Sequence, residues 1–184
     1  GSSKSPLSGP SGMKMWGPYE WQAPYYWYSD EARGNAVGFN TEIGIGAQLP
    51  VKESLMKFIP EDQLWPVGDA YDFHCTTSKE ALHDLNELKM VIEKRHGGAT
   101  DLDDFLRKAH FIDYEGTRAM IAAHRVNVPR STGVIQWMLN SAWPALYWQM
   151  YDWRLVPVAG YWSVKRGCCP QQLIYNYADR QIYA

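Results

Sequence analysis

Three cysteines in 184 residues, two of them adjacent (Cys168, Cys169), leave neither an even set nor a CxxC pair. That excludes a disulfide framework and a cysteine-built zinc site. Charge of one sign is missing too. Eighteen Lys plus Arg against twenty Asp plus Glu give a net charge of −2. Without a basic excess, nucleic acid is excluded as a partner, because phosphate neutralisation drives that binding. No apolar run approaches the ~18 to 20 residues that span a bilayer, so no membrane partner is expected. The opening Gly1-Ser2-Ser3-Lys4-Ser5 is polar and lacks the apolar stretch of a signal peptide. Neither metal nor cofactor is expected. His74, His83, His96, His110 and His124 have no metal-ligand spacing, and Gly44-x-Gly46 lacks the third glycine of a dinucleotide fingerprint. Four of the histidines stand alone on or beside predicted helices, which suits solvated or capping roles. His74 sits beside Cys75, but adjacent side chains rarely meet.

What the sequence has in quantity is aromatic residues with a polar handle: nine Trp and twelve Tyr, against five Phe. Such side chains suit surfaces that are both stacked on and wet. Carbohydrate sites fit that description, and so do large cores. With 46% hydrophobic and 21% charged residues, a packed globular core is expected rather than disorder.

Residues 1–34 are punctuated by Ser5-Pro6, Gly9-Pro10, Gly17-Pro18 and Ala23-Pro24, which exclude long helices. One short strand is predicted near Met13 to Trp16, followed by an ordered aromatic loop of the kind that shapes a site. Ala36 to Glu42 reads as a strand buried on both faces, ending in a carboxylate before Gly44-Ile45-Gly46. Pro50 is predicted to open a short helix at its first position, and Pro60 to close it. Thr77-Ser78-Lys79-Glu80 has capping-box spacing, with Leu82, Leu85, Leu88 and Ile92 as the apolar stripe behind it. Gly97-Gly98 ends that helix, and Thr100 offers the N-cap of the next, which runs to about His124. Gly133 to Asn140 is a second buried-type strand. A Trp-rich loop follows, then a helix over about 158–169 and a strand–turn–strand tail.

Strands alternating with helices predict a parallel α/β architecture. With about three parallel strands, the sheet has open edges, so the chain reads as a piece of something larger. Glu42 is the sharpest chemical candidate, because sites in parallel α/β folds form at the carboxyl ends of strands. It reads either as a nucleophile or general base, or as a capping or surface carboxylate at a strand end. Trp137 and Asn140 lie at the end of the second strand. Trp137 either stacks on a sugar ring or packs in the core. Trp16, Tyr19, Trp21 and Trp27 line a sugar pocket or hold their loop together. Cys168 and Cys169 read as buried small hydrophobes.

The stretches Gly9-Pro-Ser-Gly-Met-Lys-Met, Gly17-Pro-Tyr-Glu-Trp, Gly38-Phe-Asn-Thr-Glu42 and Gly133-Val-Ile-Gln-Trp-Met-Leu-Asn140 resemble the exo-β-D-glucosaminidase branch of glycoside hydrolase family 2. So do Asp101-Leu-Asp-Asp-Phe-Leu-Arg-Lys-Ala, Tyr151-Asp152 and Ile174-Tyr-Asn-Tyr-Ala-Asp-Arg180. The likeness runs along nearly the whole chain in the family's order. It implies a partial (β/α)8 TIM barrel, about strands 6 to 8 over residues 1–170, running into the first strand of a β-sandwich domain over 171–184. It implies a retaining hydrolase of terminal β-linked glucosamine in chitosan-type chains, secreted or extracellular, with Glu42 as nucleophile. A substrate-binding role is implied for Trp137 at the end of strand 8, and Asn140, Trp16, Tyr19 and Trp27 are further substrate-binding candidates by residue type and position. No segment matches the family's acid/base motif, so the implied partner is the N-terminal part of the same enzyme, and the chain alone is expected to be inactive. Alternatives are a β-mannosidase or mannosylglycoprotein endo-β-mannosidase of the same family and, from another class, a non-catalytic carbohydrate-binding module. Such modules are usually β-sandwiches, which the two long predicted helices oppose.

Overall fold

The computed structural model describes residues 4–5, 9–10, 13–14, 17–29, 36–76 and 83–184. They fall into two compact units. The first comprises 1–45, 115–137 and 163–184, and the second 46–114 and 138–162.

The first unit is built on a three-stranded parallel sheet. β1 (Lys4–Ser5) pairs antiparallel with β2 (Gly9–Pro10). β3 (Met13–Lys14) runs parallel to β4 (Gly38–Ile43), which runs parallel to β5 (Ser131–Gln136). β4 is therefore the central strand, and the three strands agree with those expected from the sequence. Burial on both faces does not hold. Only Asn40 and Ile43 of β4 are buried, only Ser131 of β5 is buried, and Ile135 stands half out. β5 also stops at Gln136 rather than Asn140. Past Trp137 the backbone turns into the second unit, where the Met138 N–H donates to the Trp148 carbonyl at 3.0 Å. Gly133 has a packing reason: a Cβ there would meet the Phe39 ring at 2.6 Å.

Within the aromatic loop lies a helix that the sequence reading missed, α1 (Pro24–Ser29). Proline is favourable at a first helical position, where its absent N–H costs nothing. The helix turns Trp27 and Tyr28 inward and leaves Tyr25 outside. Trp27 and Tyr28 join Ile43, Ile45, Ala119, Met120, Ala123 and Ile174 in one core cluster. Ile174 belongs to β6 (Ile174–Tyr175), which forms an antiparallel hairpin with β7 (Ile182–Tyr183), as the tail pattern predicted.

The second unit begins with α2 (Lys52–Leu55), a 3₁₀ turn (Glu61–Gln63) and α3 (Asp69–Asp72). Pro50 is not the first helical residue, because Val51 with extended backbone precedes Lys52. α4 (Asn86–His96) carries Leu88 and Ile92 inward and ends at Gly97 in the left-handed region, φ +71°. The capping-box expectation at 77–80 lies outside the described residues. The next helix, α5 (Leu102–Val126), belongs to this unit as far as Tyr114 and to the first unit from Glu115 on, and it is capped one residue later than expected. Asp101 Oδ1 accepts the Asp104 N–H at 2.9 Å, while Asp104 Oδ2 accepts the Thr100 N–H at 3.2 Å. The Lys108 ammonium, bonded to Asp104 at 2.7 Å, holds that carboxyl below its ordinary range. α6 (Ala159–Gly167) starts on a buried carboxylate. Asp113 Oδ2 accepts the Gly160 N–H at 2.8 Å, and its Oδ1 accepts Gln48 Nε2 at 3.0 Å. The anion sits on the positive end of the helix, where it is stabilising.

The histidine and cysteine expectations need correction. His124 is buried. His110 is half-buried with Nε2 3.3 Å from the Pro50 carbonyl, and burial pushes its pKa down. His74, by contrast, agrees with the reading that it does not pair with Cys75, since its Nδ1 lies 2.7 Å from the Pro144 carbonyl. Cys168 and Cys169 are exposed, because they follow the last turn of α6, whereas Cys75 is buried with its thiol bonded to the Tyr71 carbonyl.

Two predictions follow from these contacts. Asp101→Ala loses about 1 kcal/mol of stability in urea titration, the usual size of a lost N-cap, whereas Thr100→Ala changes little. Burial pushes the Cys75 thiol up to about 12. At pH 8 an aromatic disulfide reagent therefore titrates two thiols of the native chain quickly, and the third only on unfolding. The linked stability is complete below the thiol's ordinary pKa and is lost as pH rises toward 12.

Candidate active site

The carboxylate at the end of β4 owes its direction to an irregular register. Asn40 pairs with Val134 and Ile43 with Gln136, so Thr41 and Glu42 together oppose the single residue Ile135. This is a β-bulge. In a regular strand Asn40 and Ile43 would face opposite sides, three residues apart. The extra residue brings both to the α5 side, where Asn40 bonds His124 and Ile43 joins the core cluster with Ala119, Met120 and Ala123, and Thr41 and Glu42 stay half-buried between them.

The loop before α1 is fastened beside Glu42. The Gly44 N–H donates to the Pro18 carbonyl at 3.0 Å, which sets residues 17–19 against the end of β4. The Tyr19 phenol then lies beside the Glu42 carboxylate, which raises the phenol's pKa by hydrogen bonding and by charge. Gly17 allows this fold-back. Its φ is +20°, and a Cβ on it would meet the Tyr19 amide nitrogen at 2.6 Å and the Tyr19 ring at 2.9 Å. Burial raises the Tyr19 pKa, and the hydrogen bond to Glu42 and its charge raise it further. The phenol therefore remains a neutral donor to the carboxylate through the physiological range. The neighbouring Glu20 is engaged locally, accepting from the Tyr19 N–H at 3.2 Å and from Gln22 Nε2 at 3.0 Å.

Trp137 continues the β4–β5 ladder by one bond, its N–H donating to the Ile43 carbonyl at 2.7 Å. Its backbone thus lies one strand across from the residue after Glu42. The side chain is 40% exposed, so a ring face is free to stack. Trp27 is different. With none of its surface exposed it belongs to the core, because α1 rotates it inward, and it cannot touch a sugar. Asn140 is exposed and lies in the second unit, its backbone bridged to Tyr151. Trp16 lies outside the described residues. Among the described residues no group of three His, Cys, Asp or Glu could hold a metal ion, and no helix is long and apolar enough to cross a membrane.

Sequence reasoning missed one buried polar cluster next to this carboxylate. His124, on the last turn of α5, lies 3.0 Å from Asn40 Nδ2 through Nε2 and 2.7 Å from Ser131 Oγ through Nδ1. The only sequence signal was a polar residue, Asn40, at a buried strand position two before the carboxylate.

No protein-family model matches the chain. It is 39% identical to the exo-β-D-glucosaminidase of Hypocrea jecorina over 96% of its length. It superposes on the crystal structure of Amycolatopsis orientalis exo-chitosanase CsxA with a TM-score of 0.89, at 33% identity and over 99% of the chain. The chain is a homologue of the exo-β-D-glucosaminidases. It spans about a fifth of those relatives, 21% of the Hypocrea enzyme and 22% of the CsxA chain. A Lilium longiflorum mannosylglycoprotein endo-β-mannosidase is more distant, at 26% identity over 88% of the chain and 18% of its own length. A β-D-mannosidase from Dictyoglomus thermophilum shares the fold, with a TM-score of 0.69 at 22% identity over 84% of this chain and 18% of its own. The relatives are glycosidases, and the mixed helix-and-strand structure opposes the reading as a β-sandwich binding module.

The Tyr19–Glu42 contact is testable without any substrate. Titration of the Tyr19 ring carbon by NMR is expected to give a pKa above the ordinary tyrosine value. Glu42→Gln removes the anion and moves that titration back toward 10, though not fully, since burial remains. An unchanged titration in Glu42→Gln contradicts the contact.

Proposed function

We propose that this chain is the nucleophile-bearing segment of a retaining exo-β-D-glucosaminidase that removes terminal β-linked glucosamine from chitosan-type chains. The observation that carries the reading is Glu42. It stands on a bulge at the carboxyl end of the central parallel strand, braced by Tyr19, in a chain 39% identical to such an enzyme along 96% of its length. β3, β4 and β5 are read as strands 6, 7 and 8 of a (β/α)8 barrel over residues 1–170. The tail from 171 is read as the start of a β-sandwich domain. Sites in such barrels lie at the carboxyl ends of the strands, where Glu42 sits.

A retaining glycosidase sets two carboxyl groups about 5 to 5.5 Å apart, one as nucleophile and one as acid/base. In this reading Glu42 attacks the anomeric carbon and forms a glycosyl ester as the C1–O bond to the leaving sugar breaks. The acid/base protonates the departing oxygen, then takes a proton from the water that cleaves the ester. That second carboxyl is supplied from outside these 184 residues. The Tyr19 phenol orients the Glu42 carboxylate and lets go as the oxygen it holds loses charge. Trp137 offers its exposed ring to the sugar, and Tyr19 and Trp16 are the remaining wall candidates. The more distant mannosidases make a β-mannoside the competing substrate within the same mechanism. A secreted location fits an enzyme that acts on a polysaccharide.

Glu42→Gln in the complete polypeptide that carries this chain is expected to lower turnover of an aryl β-D-glucosaminide by about a thousandfold or more, the scale of losing a covalent nucleophile. The 184-residue chain alone is expected to give no burst and no turnover. A fully active Glu42→Gln enzyme removes Glu42 from the mechanism, and a burst from the isolated chain places both carboxyls within it.

A further inference from the structure

We propose that His124 and Asn40 are positioning residues for Glu42: one buried imidazole fixes the end of the central strand so that the bulge can aim the carboxylate. This rests on the reading of Glu42 as the nucleophile. A one-residue slip in register moves every following side chain to the opposite face. β4 carries Glu42 on such an irregularity, so its direction is set by whatever holds the residues on either side.

The far side is held by Ile43, buried in the core cluster and bonded through its carbonyl to the Trp137 N–H. The near side is Asn40, 1% exposed. A primary amide at a buried strand position costs free energy unless it is hydrogen-bonded. Its Nδ2 is bonded to His124 Nε2, and His124 is itself 4% exposed. With the amide Nδ2 as donor, Nε2 accepts and the ring proton belongs on Nδ1, 2.7 Å from Ser131 Oγ, while the amide Oδ1 is buried without a partner among the described residues. Ser131, 4% exposed, opens β5, and its N–H donates to the Asn127 carbonyl at 2.9 Å. A single ring on the last turn of α5 thus clasps β4 and β5 together, two residues before Glu42.

An apolar pair would fill the same space, but it would not distinguish one register from the next. Hydrogen bonds do, because a slip leaves the amide, the imidazole and the hydroxyl all buried without partners. Neither Asn40 nor His124 needs to touch substrate for this. Their effect passes through the direction of Glu42, and a displacement of about 1 Å at a reacting group can cost about a hundredfold in rate.

The test reads the Tyr19–Glu42 contact and turnover separately. Asn40→Leu keeps the volume and removes the amide. It is expected to move the Tyr19 titration toward the Glu42→Gln value. In the complete polypeptide it should lower kcat about a hundredfold with KM within a fewfold. His124→Leu should behave alike, and His124→Gln, whose amide oxygen can accept the same N–H, should recover most of the loss. Leu85→Ala, a core truncation in the second unit, is the control for general destabilisation and should leave the Tyr19 titration in place. An unchanged Tyr19 titration in folded Asn40→Leu and His124→Leu overturns the proposal. If these variants do not fold, ¹⁵N NMR of the His124 ring in the unsubstituted chain decides it: a proton on Nδ1 supports the clasp, and one on Nε2 overturns it. A wild-type rate in Glu42→Gln with a shifted Tyr19 titration in Asn40→Leu would remove the proposed chemistry and leave the clasp standing.

Discussion

Asn40 and Ile43 are three residues apart on one strand and both are buried. Asn40 bonds His124 and Ile43 shares a core cluster with Ala119, Met120 and Ala123, so both serve the α5 side, whereas a regular strand would turn them to opposite faces. The two-against-one register opposite Ile135 resolves the conflict, and most of the site follows from it. Both flanking residues commit to the interior, and the pair between them is pushed to the strand's end. The Gly44 N–H that follows is then placed to take the Pro18 carbonyl, which brings Tyr19 to Glu42. Gly17 and Gly133 serve the same arrangement, one by permitting the fold-back of Tyr19 and the other by clearing room for Phe39.

The strands and long helices were legible because they depend on local pattern. The strands around Phe39 and Val134 and the helix Leu102–Val126 announce themselves by apolar residues in runs or at helical spacing, although β5 begins at Ser131 rather than Gly133 and ends at Gln136 rather than Asn140. The bulge was not legible. Nothing in Asn40-Thr41-Glu42-Ile43 says that two residues will face one, because register is a property of the pair of strands. His124 was misread for a related reason. Near the end of a long helix it resembles a solvated cap, and only the arrival of Asn40 and Ser131 makes it an interior residue. Cys168 and Cys169 failed in the other direction: small and apolar by type, they lie past the end of α6 and stay outside.

The aromatic surplus divides by location rather than by residue type. Trp27, Tyr28, Tyr71 and Tyr147 are interior. Burial raises the pKa of each of those three tyrosines, so they stay neutral and act as core with one polar end. The Tyr71 hydroxyl spends that end on the Leu64 carbonyl at 2.8 Å, and Tyr147 spends its own on Asp84 at 2.7 Å. Trp137, Trp143 and Trp162 keep 40% or more of their surface in solvent. An excess that suggested a sugar pocket is thus partly a structural device, and only rings such as Trp137, at the carboxyl end of a strand, remain candidates for stacking.

Parallel strands are normally covered on both faces. β5 is not: Ile135 is half exposed, and the apolar Leu139 beyond the strand is 65% exposed. Isolated exposed apolar residues need no explanation, but a half-exposed strand in a parallel sheet is unusual. The chain matches about a fifth of its relatives' length, and the proposed reading accounts for the exposure with the remaining strands and helices of a barrel. It also explains why the positioning contacts are internal to this segment. His124, Asn40, Ser131, Tyr19 and Gly17 all come from the unit that bears Glu42. On that reading the direction of the Glu42 carboxylate is set by its own neighbours, and what the rest of a barrel would add is the second carboxyl and the walls of the pocket.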